Sequence, residues 1–218
     1  MLGFSKQKGV TLLELVVALA ISTVVIGALV GIFFMSTKHN RGTLEVTKLD
    51  SELNLVLNSM SRDIQRAGYW ANAETSSTNP FMQTGTTDIS VNGANDCILL
   101  TYDHDGDGAL AAFGAGTDDE RYGYRLSAGA VQYRPSGALF SCTNSSWTDL
   151  TDKRIVTITA MQITLNTEDV DIDGTGSGTA VMQVRNVTIT LTGELASDSS
   201  VTRTLTRTVK VYNDKYIP

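Results

Sequence analysis

Polar and apolar positions divide the chain into four unequal stretches. Met1 to Lys8 is polar with two lysines, Gly9 and Val10-Thr11-Leu12-Leu13-Glu14 follow, and Leu15 to Met35 then runs 21 residues without a charge. As a helix that run spans about 30 Å, enough for the hydrocarbon core of a bilayer. Ser36 to Thr43 is polar and holds Gly42, which predicts a helix that is weak or interrupted there. Apolar residues resume at Val46, Leu49, Leu53, Val56, Met60, Ile64 and Ala67, the spacing of one helix face, and Gly68 is placed to end that helix. Glu45, Lys48, Asp50, Arg62 and Gln65 fall off the stripe, so the stripe is read as packing on the domain's own sheet.

Beyond Gly68 the period changes from helical to alternating. Residues 98–102, 122–126, 130–134, 154–165, 181–191 and 201–212 are rich in β-branched and aromatic residues and predict strands. The clearest alternation sets Val187, Ile189 and Leu191 against Thr188, Thr190 and Thr192, and Ser127-Ala128-Gly129 reads as a hairpin turn. Asn72 to Asn95 and Asp173 to Thr179 read as surface loops. The expected organisation is an N-terminal leader at 1–9, a membrane or filament-core helix at 10–35, an amphipathic helix at 36–68 and a β-rich head at 69–218. The fold class is α+β, a long N-terminal helix packed on an antiparallel sheet.

The N-terminal segment discriminates among three readings. A secretory signal peptide has an apolar stretch of roughly 7 to 15 residues followed by a small-residue cut site. The nearest such site, Ala18-Leu19-Ala20, lies inside the apolar run, and cleavage there leaves the remaining hydrophobic residues on the product. A plain signal anchor explains the length but gives no reason for Glu14, since an ionisable residue inside a membrane helix costs about 2.5 to 3.5 kcal/mol on insertion scales. The third reading uses every feature. Gly9, Val10-Thr11-Leu12-Leu13-Glu14 and the long apolar helix resemble the class III leader of type IV prepilins and the related pseudopilins.

That resemblance implies cleavage after Gly9 by a prepilin peptidase on the cytoplasmic side, methylation of the new amine of Val10, and a role for Glu14 in assembly. Val10 stands where many major pilins have Phe, a position that varies among minor pilins, and Gly31 stands where many have a helix-kinking Pro. Further along, Ser61-Arg62-Asp63-Ile64-Gln65-Arg66-Ala67-Gly68-Tyr69 resembles a segment of PilW-type minor pilins. Tyr122-Gly123-Tyr124-Arg125-Leu126 with Ala130-Val131-Gln132-Tyr133-Arg134 resembles a hairpin shared by PilW proteins and the type II secretion pseudopilin GspJ. What these imply is a minor pilin of a priming or tip complex, in pilus assembly, twitching motility, adhesion or DNA uptake; the alternatives are a GspJ-like pseudopilin or a membrane-anchored periplasmic enzyme or receptor. The implied partners are prepilin peptidase, other minor pilins, the major pilin and, before assembly, the inner membrane of a Gram-negative bacterium with the head in the periplasm. No small-molecule substrate is expected.

Composition narrows this further. A net charge of -6 and a pI near 4.9 argue against capture of a nucleic-acid backbone, and Arg203, Arg207 and Lys210 are read as a solvated strand face. With His39 and His104 as the whole histidine complement, no metal-hydrolase or triad cluster can be assembled, so enzyme activity is not expected. Cys97 and Cys142 lie beyond a segment that would carry them across a membrane, where such a pair usually closes; the alternative is two separate buried cysteines.

Asp103, Asp105 and Asp107 before Gly108 begin like the calcium loop of an EF-hand, but the twelfth position is Gly114. Asp118, Asp119 or Glu120 is then the source of the missing ligand. Asp169, Asp171, Asp173 and Gly174 repeat the pattern, with Ala180 twelfth and Glu168 adjacent. Both loops otherwise read as acidic, solvated turns.

Overall fold

The computed structural model describes residues 9–74, 78–112, 119–144, 146–174 and 180–218, with the backbone alone for 38–42. The chain forms two compact units, one ending at Glu45 and the other beginning at Val46. Helix α1, Leu12–Arg66, contributes to both.

In the first unit, Leu12–Thr37 has a mean hydropathy of 2.7 and none of it is buried, so it is long and apolar enough to cross a membrane. Of the weak or interrupted helix expected at Ser36 to Thr43, the interruption does not occur: the backbone stays helical through Gly42. A single helical glycine costs only about 1 kcal/mol, too little to break a helix supported on both sides.

In the second unit, the α1 face carrying Leu49, Leu53, Val56, Met60 and Ile64 is fully buried, as its period requires. Gly68 ends the helix at φ 75°, and its N–H donates to the Thr101 carbonyl at 2.8 Å. A Cβ there would lie 2.1 Å from the Met82 methyl, so glycine is needed for conformation and space alike.

The head has two antiparallel sheets where one was expected. The first runs in the order β1 (Ser90–Val91), β2 (Cys97–Thr101), β3 (Arg121–Ser127), β4 (Ala130–Tyr133), β5 (Thr148–Asp149). The second joins β6 (Val156–Asp171), β7 (Val181–Leu195) and β8 (Thr202–Lys210), with β9 (Lys215–Ile217) also paired to β7. Only a few bonds stitch β6 to the turns of the first sheet, among them Ile158 N–H to Gly129 O and Ile163 N–H to Asn95 O. Both sheets nevertheless share one core with α1, in which Ile98 and Leu100 of β2, Val131 of β4, Ile163 of β6 and Ile189 of β7 are fully buried. The stretch read as loop from Asn72 to Asn95 contains β1 and a 3-10 turn, Pro80–Met82.

Alternation on β7 follows the sequence pattern: Val187, Ile189 and Leu191 are at 0% exposure, while Thr188, Thr190 and Thr192 bond to Thr208, Thr206 and Thr204 of β8 on the outer face. The same period corrects the reading of the basic residues as one solvated face. Arg203 and Arg207 share the inner face of β8 with Val209 and reach α1, at Asp50 and Asn58 respectively, whereas Lys210 is one residue out of phase and faces away.

Candidate functional site

At the N-terminus, Thr11 and Glu14 form a reciprocal cap on α1. The Glu14 N–H donates to Thr11 Oγ1 at 3.3 Å, and the Thr11 N–H and hydroxyl both donate to Glu14 Oε2 at 3.4 and 3.3 Å. Two donors that a helix start leaves without partners are thereby satisfied. The Thr-x-x-Glu spacing is a readable signature of this capping box, and it gives Glu14 a local partner that its desolvation cost does not suggest. Val10 is 74% exposed, and a Cβ on Gly9 would meet nothing within 4 Å. Met1 to Lys8 lie outside the described residues.

The two motifs singled out at 61–69 and 122–134 meet in the head. Asp63, near the end of α1, accepts from the Tyr124 hydroxyl of β3 at 2.5 Å and from the Tyr102 hydroxyl at 3.2 Å, while Ser59 shares a 2.9 Å hydrogen bond with Tyr124. Tyr102 stacks on Tyr122 with ring centroids 4.1 Å apart, and the Arg66 guanidinium lies 5.8 Å from the Tyr102 ring. Burial raises the Asp63 carboxyl above its ordinary value, against the opposing pull of the Tyr124 and Tyr102 hydroxyls and of Arg62 and Arg66. This junction anchors the helix to the first sheet.

The first acidic loop gathers more ligands than its spacing alone supplies. One carboxylate oxygen each from Asp103, Asp105, Asp107 and Glu120 lies within 4.8 Å of the others. Asp103 and Glu120 are buried and held by backbone: Asp103 accepts from the N–H groups of Ala71, Gly106 and Gly108, and Glu120 from those of His104 and Ala111. Burial raises the Glu120 carboxyl, helped by the negative charges of Asp103 and Asp105 and opposed by those two N–H donors. Trp70 Nε1 donates to the Gly108 carbonyl at 2.7 Å, tying the loop to the segment after α1.

Of the three residues named for the missing ligand, Glu120 joins the cluster. Asp119 is committed elsewhere, in a fully buried 2.7 Å ion pair with Arg134 and a bond from the Gly137 N–H; Asp118 and Gly114 lie outside the described residues. In the second loop, Asp169 accepts from Gln183 and Asp171 from the N–H groups of Asp173 and Gly174. Among the described residues those carboxylates form no such cluster.

Cys97 and Cys142 are bonded, with Cα atoms 6.1 Å apart. The bridge ties β2 to the segment after β4 beside Leu99 and Trp147, whose ring lies 4.8 Å from the Arg125 guanidinium. The alternative of two separate cysteines is thereby set aside.

The apolar helix, long enough to cross a membrane, starts at a capped N-terminus preceded by glycine and continues into an α+β head. Residues 4–30 match the prokaryotic N-terminal methylation motif. Residues 42–211 match the family of prepilin peptidase-dependent protein B, and the chain belongs to that family. It is thus a type IV pilin-like protein of the kind that prepilin peptidase processes. No curated protein matches the chain. Among solved structures, a type IV-like pilin from Thermus thermophilus is similar at 12% identity, over 75% of this chain and 96% of that one, with a TM-score of 0.44, a likeness too loose to carry weight.

Proposed function

We propose that this chain is a minor pilin of a type IV pilus, a structural subunit of the priming or tip complex. It inserts in the inner membrane with its head in the periplasm, is cut between Gly9 and Val10, is methylated at Val10 and passes into the filament with other minor pilins and the major pilin. The observation that carries this reading is the uncovered apolar stretch Leu12–Thr37 directly behind Gly9-Val10, within a matched methylation motif. A helix of that composition needs lipid or neighbouring helices around it. The 61–69 and 122–134 motifs, on whose likeness the PilW-type reading rests, meet through Asp63 and Tyr124. Mass spectrometry of the N-terminal peptide from cells with an active prepilin peptidase is expected to give N-methylated Val10 as the first residue. An intact Met1, or a cut near Ala20, ends the reading.

The loop of Asp103, Asp105, Asp107 and Glu120 is proposed to hold a calcium ion in this head. The cation would relieve the mutual repulsion of four carboxylates, two of them buried. Calcium is expected to raise the thermal midpoint of the wild-type protein and chelator to lower it, with both effects lost in Asp105→Ala. A calcium-dependent midpoint that persists in Asp105→Ala removes the ion from this loop.

A further inference from the structure

Two surfaces of the head carry opposite charge. A groove of about 640 Å³ runs between the outer side of α1 and β8. It is lined by Arg62, Arg207 and Lys210, and no acidic residue lines it, although the chain carries a net charge of -6. Among the described residues none of these three cations lies within 4.0 Å of a carboxylate oxygen; Arg207 instead donates to the neutral amide of Asn58 at 2.6 Å. Two large apolar side chains border the groove in the open, Leu55 at 53% and Tyr212 at 66% exposure. Among the described residues β8 ends its sheet, with no strand paired to its outer edge.

The opposite character belongs to the far half of β6. β8 stops opposite Asn186, and from Asn166 to Asp171 every residue of β6 is exposed, whichever face it points to. Glu168, Asp169 and Asp171 fall in this stretch with Val170, and Ile172 and Asp173 follow directly after it; Val170 and Ile172 are 44% and 50% exposed. No basic residue occurs between Arg154 and Arg185. This end of β6 is acidic and uncovered on both faces, the charge opposite to that of the groove.

We propose that the acidic end of β6 in one copy of this chain docks in the basic groove of a second copy, lying along the free edge of β8. Its carboxylates meet Arg62 and Arg207 in the groove and Lys210, which β8 turns to its other face, at the rim; its aliphatic side chains cover Leu55 and Tyr212, and backbone bonds to β8 supply the alignment. Because groove and strand are different surfaces of the same head, the contact is heterologous: the copy that supplies the strand keeps a free groove, the copy that supplies the groove keeps a free strand, and the association can propagate from head to head. A short strand addition is weak by itself and acts when the copies are already held at high local concentration by a shared membrane or filament. Three cations are few for a nucleic-acid backbone, and exposed Leu55 and Tyr212 beside a strand edge favour a peptide. The proposal does not depend on the tip-complex reading, since it concerns heads alone.

The test uses two full-length copies with different tags, expressed together, one carrying a photoreactive benzoylphenylalanine in place of Tyr212. Illumination is expected to join the copies, with the adduct mapping to residues 166–173 of the second. Reversing the groove by Arg62→Glu, Arg207→Glu and Lys210→Glu is expected to reduce the adduct at least about tenfold. Placing lysine at Glu168, Asp169 and Asp171 of the other copy should restore it. Retention of the Cys97–Cys142 bridge and of protease resistance checks the fold, and Lys210→Glu alone, at an exposed position, serves if the triple variant misfolds. Absence of an adduct between copies, an adduct elsewhere on the head or on another protein, or one indifferent to charge reversal overturns the proposal. So does an adduct that vanishes in chelator, which gives the acids to a cation, or groove-dependent binding of duplex DNA with no adduct between copies.

Discussion

Glu14 has two demands on one carboxylate. It caps α1 by accepting from the Thr11 N–H and hydroxyl; for the assembly role that the leader resemblance implies, we propose that it meets the Val10 amine of a neighbouring subunit. The two roles separate by substitution, because a glutamine at the third helical position still caps but carries no charge. Glu14→Gln is expected to insert and be cleaved normally yet fail to co-purify with its minor-pilin partners, as is Glu14→Ala. If Glu14→Gln enters the complex at wild-type yield while Glu14→Ala does not, capping suffices and the charge pairing is given up. A buried pair often does no better than break even in stability, so the expected loss is one of assembly and register rather than of folding.

Among the elements, the β3–β4 hairpin shows how a turn can be correct in outline and costly in one residue. Ala128 and Gly129 both adopt positive φ, 48° and 78°, the requirement of a two-residue type I′ turn. Glycine meets it freely; alanine in the left-handed region costs about 1 kcal/mol. Ala128 is exposed, so a larger polar side chain has room. Ala128→Asn is expected to raise unfolding stability by about 0.5 to 1 kcal/mol, measured as a shift of the urea midpoint at constant slope. An unchanged or lower midpoint shows that this turn is not strained. The stalk helix makes the reverse point: Gly42 in a polar stretch is a weak breaker, and the helix passes through it.

At the scale of the whole molecule, Asp63 joins the helix to the first sheet and makes that junction sensitive to pH. Its carboxyl is raised above the ordinary aspartate value of 3.8, chiefly by burial. The folded state therefore holds its proton more tightly than the unfolded one. The associated stability is present below that value and is lost as pH rises through the folded-state value. Asp63→Asn keeps an acceptor for Tyr124 and removes the charge, so the variant should gain on the wild type in thermal midpoint as pH is raised from about 4 to 7. Parallel curves for the two proteins would exclude Asp63 as their pH-dependent group. This junction also marks where sequence reading ends. The apolar run, the buried stripe from Leu49 to Ala67, the alternation of β7 and the pairing of Cys97 with Cys142 were legible because each depends on local period or on the scarcity of a residue type. The division into two sheets was not, because it is set by which strand edges find partners, and Ile158 and Ile163 carry no mark of bonding to Gly129 and Asn95. Nor did the chain order foretell that Glu120 would close the loop begun by Asp103 while its neighbour Asp119 turns to Arg134. Successive residues of an extended chain point to opposite sides, and only the packed head decides which side holds the loop and which holds the arginine.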